Sequence, residues 1–133
     1  MKAYFTAALT VSLLTSCSKN SIPRQQITGQ WELRKEVGGL AGLIQYEPGT
    51  GRTLKFGDDK TFQANYPNGP DQVGTYEIVP SANPGYWILN THFLANGQPS
   101  DSRDSIRFEK NQLIILPFAS CCDIPTDYYD RLH

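Results

Sequence analysis

The chain has 133 residues, with 12 basic and 13 acidic side chains and a formal net charge of −1. That length suits one domain with a modest core. The balanced charge excludes broad electrostatic attraction to nucleic acid or anionic lipid, and no apolar run reaches the roughly 20 residues of a spanning helix.

Lys2 supplies a positive start, and an apolar run of about a dozen residues follows from Ala3 to Leu14, the size of a signal-peptide core. Leu14-Thr15-Ser16-Cys17 then resembles the bacterial lipobox, in which small residues precede a cysteine. The resemblance implies that residues 1–16 are an export signal and that Cys17 is acylated and anchors the chain in a membrane. Two or three acyl chains anchor stably, at about 0.8 kcal/mol per buried methylene. An ordinary secretory signal with an incidental cysteine is the alternative. Residues 17–26 become the lipidated cysteine and a polar tether, and residues 27–133 the domain. No Asp follows Cys17. By resemblance to enterobacterial lipoproteins, this implies the cell envelope, at the outer membrane facing the periplasm.

Beyond residue 27, short runs rich in β-branched and aromatic residues alternate with Gly, Pro, Asn and Asp clusters, the pattern of an all-β sandwich or barrel. Gly29–Val37 alternates with period two. Trp31, Leu33 and Val37 share a face with Lys35; Gln30, Glu32, Arg34 and Glu36 share the other. Gly38–Gly51 reads as a long loop over one barrel mouth. Arg52–Phe56 and Thr61–Tyr66 form a hairpin through Gly57-Asp58-Asp59-Lys60. Leu54, Phe56, Phe62, Ala64 and Tyr66 point inward, as do Gly74, Tyr76 and Ile78 of Gln72–Val79.

Pro80–Pro84 stops that strand. Tyr86–Leu94 is apolar on both faces, so neither is assigned inward. Ser105–Glu109 and Gln112–Phe118 turn at Lys110-Asn111, and Tyr128–Leu132 is the last strand. The result is about eight strands with no amphipathic helix. Short connections favour an antiparallel up-and-down barrel.

Gly29-Gln30-Trp31 on the first strand and Arg131 on the last resemble the closed end of a lipocalin. In that arrangement the indole plugs the barrel, the glycine lets backbone pass close, and the arginine stacks on the ring. The chain is shorter than a typical lipocalin, lacks room for its C-terminal helix, and has Thr126-Asp127-Tyr128 out of place for that family's second motif. The resemblance therefore implies a short lipocalin-like domain and says little about a ligand.

Chemistry is sparse. Cys121 and Cys122 are adjacent, and an oxidising compartment leaves three readings open: a vicinal disulfide, two separately packed thiols, or a redox or metal site. His92 and His133 are the only histidines, and no zinc spacing exists. Asp123, Asp127 and Asp130 lack the pattern of a calcium loop and read as solvated turn chemistry. Ser102, Asp104 and His92 assemble a triad only on paper, without a nucleophile elbow, so no catalytic residue, metal or cofactor is expected. Phe56, Phe62, Tyr66, Tyr76 and Phe108 are the candidate lining of a ligand cavity, although a barrel of this size is equally able to fill itself with side chains. The functional expectation is a membrane-anchored binding module for a small apolar or amphipathic ligand. The alternative is an envelope lipoprotein with a filled barrel that binds a protein, as inhibitor or assembly partner.

Overall fold

The computed structural model describes residues 24–118 and 123–133, which form an all-β, antiparallel closed barrel of eight strands with one extra strand. In chain order these are β1 (Gly29–Val37), β2 (Leu43–Gln45), β3 (Thr53–Phe56), β4 (Thr61–Asn65), β5 (Gln72–Pro80), β6 (Trp87–Ala95), β7 (Gln98–Glu109), β8 (Gln112–Pro117) and β9 (Thr126–Leu132). Sequential neighbours pair from β3 to β9, and β1 closes the ring between β9 and β3. The extra strand, β2, pairs with the far half of β1.

Three elements differ from the sequence reading. The loop expected over Gly38–Gly51 contains β2, whose residues are all exposed and carry no burial signal. The strand expected at Ser105–Glu109 begins at Gln98, because Asn96-Gly97 makes a two-residue hairpin turn. Both turn residues have positive φ, 52° and 76°, which matches the twist of the flanking strands. The polar stretch Gln98-Pro99-Ser100-Asp101 has little strand propensity of its own and is held by pairing with β6. One helical turn, where none is expected, precedes β1: Arg24–Ile27 forms α1, and Ile27 is fully buried.

β1 departs from strict alternation. Leu33 pairs with Tyr129 and Lys35 with Tyr128, so Arg34 is an extra residue in a β-bulge. Past the bulge the faces exchange. Lys35 and Val37, expected on the face of Trp31, turn outward; Lys35 lies 4.1 Å over the outer Tyr128 ring and Val37 is exposed. Glu36 takes the inner register position, opposite Asp127. On β6 the inner set is Trp87, Leu89, Thr91 and Phe93, paired with inner residues of β5.

One end of the barrel is plugged. The Trp31 indole is 1% exposed and its N–H donates to the Ile27 carbonyl at 2.7 Å. The Arg131 guanidinium stacks 4.3 Å from the ring centroid and donates to the carbonyls of Thr28 (2.8 Å) and Gln26. Gly29 makes room for it, since a Cβ there would meet Arg131 Nη1 at 2.8 Å. Gly29 also has φ +129°, outside the reach of most side chains. Above the indole the core is aromatic and aliphatic. Phe56 packs edge-on to Tyr76 at 5.0 Å and tilted to Phe62 at 5.4 Å, beside buried Ile106 and Leu113.

This plug sets a stability prediction. Trp31→Ala removes a fully buried indole and its hydrogen bond, and is expected to cost about 3–5 kcal/mol in urea unfolding. Arg131→Ala leaves the ring in place and is expected to cost about 1–2 kcal/mol. In a Trp87→Phe background, Trp31 should emit as a buried indole; a water-exposed emission maximum would contradict the plug.

Candidate functional site

The opposite end is open. Inner positions there are mostly polar: Arg52 just before β3, Tyr66 and Gln72 around the β4–β5 turn, Thr91 on β6, Ser102 and Asp104 on β7, Asp127 and Tyr129 on β9. They surround a chamber of about 400 Å³ whose floor is apolar, with Leu54, Phe56, Phe62, Leu89 and Ile115. A second hollow of about 490 Å³ lies beside it, between Glu36, Tyr46 and Thr50 on one side and the Tyr66–Gln72 turn on the other. Arg52, Tyr66 and Gln72 border both spaces.

Arg52 is the centre of the polar half. Its Nε donates to the Tyr129 hydroxyl at 2.5 Å, and its Nη2 donates to Asp127 Oδ2 in an ion pair. Its guanidinium also lies over the rings of Tyr129 (5.6 Å) and Tyr66 (5.8 Å). Burial holds the Tyr129 hydroxyl protonated well above its ordinary range, so it serves Arg52 as a neutral acceptor.

The carboxylates around this cation are uncomfortable. Burial pushes the Asp127 carboxyl up to about 6; Arg52 opposes the shift, while Glu36 and Asp104 add to it. Ion pairing alone would lower this pKa, so the loss of water outweighs the guanidinium. Asp127 Oδ1 is sealed from solvent and accepts no hydrogen bond. Asp104 is also pushed up by burial, partly offset by a 3.1 Å hydrogen bond from Ser102, whose hydroxyl is 2.8 Å from that of Thr91. Glu36 accepts a hydrogen bond from the Tyr46 hydroxyl at 2.8 Å.

The structure separates several groups that the sequence placed together. Of the candidate lining, Phe56, Phe62 and Tyr66 border the chamber. Tyr76 is in the core and donates its hydroxyl to the Gly57 carbonyl at 2.8 Å. Phe108 is at the plugged end, 6.3 Å from Trp31. Asp127, read as solvated turn chemistry, is 7% exposed and faces Arg52, whereas Asp130 faces outward to Gln112 and Asp123 is exposed. Thr91 and Phe93 point inward, so His92 between them points out and bonds exposed Asp101 at 2.7 Å, which rules out a triad with Ser102 and Asp104. Cys17, Cys121 and Cys122 lie outside the described residues. Among the described residues, no group of three or more His, Cys, Asp or Glu side chains is placed to hold a metal ion.

Sequence reasoning missed Arg52, Asp104 and Asp127 as a set. The available signal was phase. Arg52 alternates with Leu54 and Phe56, Asp104 with Ile106, and Asp127 with Tyr129, so each puts a charge on the inner face of its strand.

The Asp127 shift has a definite sign. Its folded pKa of about 6 lies above the unfolded value near 3.9. The folded state therefore binds the extra proton between about pH 4 and 6, and this group's contribution to stability is lost as pH rises through that window. Relative to Asp127→Asn, the wild type should lose up to about 3 kcal/mol between pH 4 and 6 and change little above pH 7. Urea unfolding at each pH checks this, and parallel pH profiles for the two proteins would contradict it.

In comparisons with known proteins, no protein-family model, curated protein or solved structure matches this chain.

Proposed function

We propose that the protein is a binding module, held at a membrane by a lipid on Cys17, that takes a small amphipathic molecule into the open end of its barrel. The observation that carries this reading is the half-filled interior. One end is plugged by the buried Trp31 indole, beside a polar hollow of about 490 Å³ bordered by Gln26, Lys110 and Arg131, while the other keeps a chamber of about 400 Å³ with an apolar floor and a polar upper wall. That volume suits a small ligand, and the two-sided lining favours an amphiphile over a purely apolar molecule.

Anchoring supports the orientation. The described residues begin with α1 on the plugged end, seven positions after Cys17. A lipid there holds the plug toward the membrane and the mouth away from it, at the outer membrane facing the periplasm in this reading. Cys17→Ser should abolish labelling by a clickable palmitate analogue in a bacterial host. Equal labelling of both proteins would remove the anchor from the account.

Ligand entry is tested by uptake of N-phenyl-1-naphthylamine, which brightens in apolar surroundings. The folded wild type should show saturable enhancement, and Ser102→Phe, which puts a ring into the chamber, should lose most of it at unchanged circular dichroism. No uptake by the wild type, or equal uptake by both, would refute binding in the chamber.

A second reading, a protein-binding surface, is favoured by one feature. Val37, Leu40 and Leu43 are 40%, 97% and 58% exposed around the β1–β2 turn. In this reading the partner is an envelope protein, and Leu40→Ser with Leu43→Ser would release it without affecting dye uptake.

A further inference from the structure

We propose that the head group accepted at the mouth is cationic, of the ammonium type, and that it seats against Asp104, within the field of Asp127, with its hydrocarbon on Phe56 and Phe62. This inference rests on the binding function proposed above and adds the chemical class of the ligand.

Negative charge dominates the side chains that face the chamber and its border. Three strands contribute carboxylates there: Glu36 from β1, Asp104 from β7 and Asp127 from β9. Arg52, half-buried, is the one cation on the inner face of a strand among the described residues that border the space. Arg103 also reaches the rim, but it is exposed and stacks on the Phe118 ring at 4.9 Å. The deficit is therefore of positive charge.

Arg52 already gives Nε to Tyr129 and Nη2 to Asp127, so an incoming anion would have to compete with that carboxylate and face two more. Asp104 has no ion-pair partner among the described residues; it accepts the Ser102 hydroxyl and feels the Arg52 charge only at a distance. Asp127 stands in the chamber wall with Oδ2 on Arg52 and Oδ1 sealed from solvent, so it acts on a cation through its charge and not by contact.

The titration behaviour agrees. Burial raises both Asp127 and Asp104, and Asp127 faces Arg52, Glu36, Asp104 and Tyr129 from the surrounding strands. A bound cation favours the ionised carboxylates, so binding expels protons and weakens as pH falls through about 6.

Octyltrimethylammonium, octanoate and 1-octanol share one chain and differ in head charge. Their affinities for the wild type follow from displacement of N-phenyl-1-naphthylamine or from calorimetry. At pH 7.5 the ammonium should bind at least about tenfold tighter than octanoate, with octanol between them. Because its charge is fixed, its affinity should fall about tenfold from pH 7.5 to pH 5 through the protein alone. Asp104→Asn should reduce the preference for the ammonium over octanoate, and Asp104→Glu should keep it. The wild-type ranking needs no variant to fold. Octanoate binding as tightly as the ammonium, or tighter, would overturn the cationic head group and leave the chamber a binding site. Failure of all three to bind would overturn the binding function with it.

Discussion

The register between β1 and β9 is the constraint on which both ends of the molecule depend. It pairs Trp31 with Arg131, Leu33 with Tyr129 and, after the bulge at Arg34, Glu36 with Asp127. The first pair builds the plug, and the last brings two carboxylates toward Arg52. Since a strand repeats every two residues, a slip of one position would turn each of these side chains to the opposite face. The bulge itself has a chemical consequence. Unbroken alternation would carry Lys35 inward beside Arg52, and the extra residue substitutes Glu36.

The two ends solve the burial problem differently. At the plug every polar contact is closed: the indole N–H has a carbonyl, and the Arg131 guanidinium has two carbonyls and a ring. At the mouth a guanidinium is taken inside the barrel and only partly compensated. Buried ion pairs often contribute little net stability, and apolar side chains of similar volume commonly do as well. A cluster that leaves Asp127 raised and one of its oxygens unbonded is therefore poorly explained by folding alone. Strained electrostatics beside a cavity is the pattern expected of a binding site.

Much of the architecture was legible because it is written in short-range signals. Period-two alternation marked β1, β3, β4 and β5, and the terminal Arg with Gly29 and Trp31 marked the closed end. What escaped has no short-range signal, or one that was passed over. β2 is exposed and three residues long, and exists because the far half of β1 offers an unpaired edge. The first half of β7 is polar and rests on its partner, although Asn96-Gly97 announces the hairpin. The bulge at Arg34 reversed the expected faces of Lys35, Glu36 and Val37, and no residue type there advertises it. The polar chamber was hidden for a different reason. Its members come from the approach to β3, from β7 and from β9, and only barrel closure brings them together. A charged residue in the inward phase of a strand was the clue, and it acquires meaning once several strands show it.

In the proposed function the mouth half of the barrel is a chamber for a small molecule. Native mass spectrometry of the protein, purified gently from its own host, measures this most directly. The account predicts a population heavier by a small organic molecule that dissociates on activation and is lost at acid pH, when Asp127 takes up its proton. A bare chain at every pH, accompanied by a stoichiometric protein partner, would contradict it.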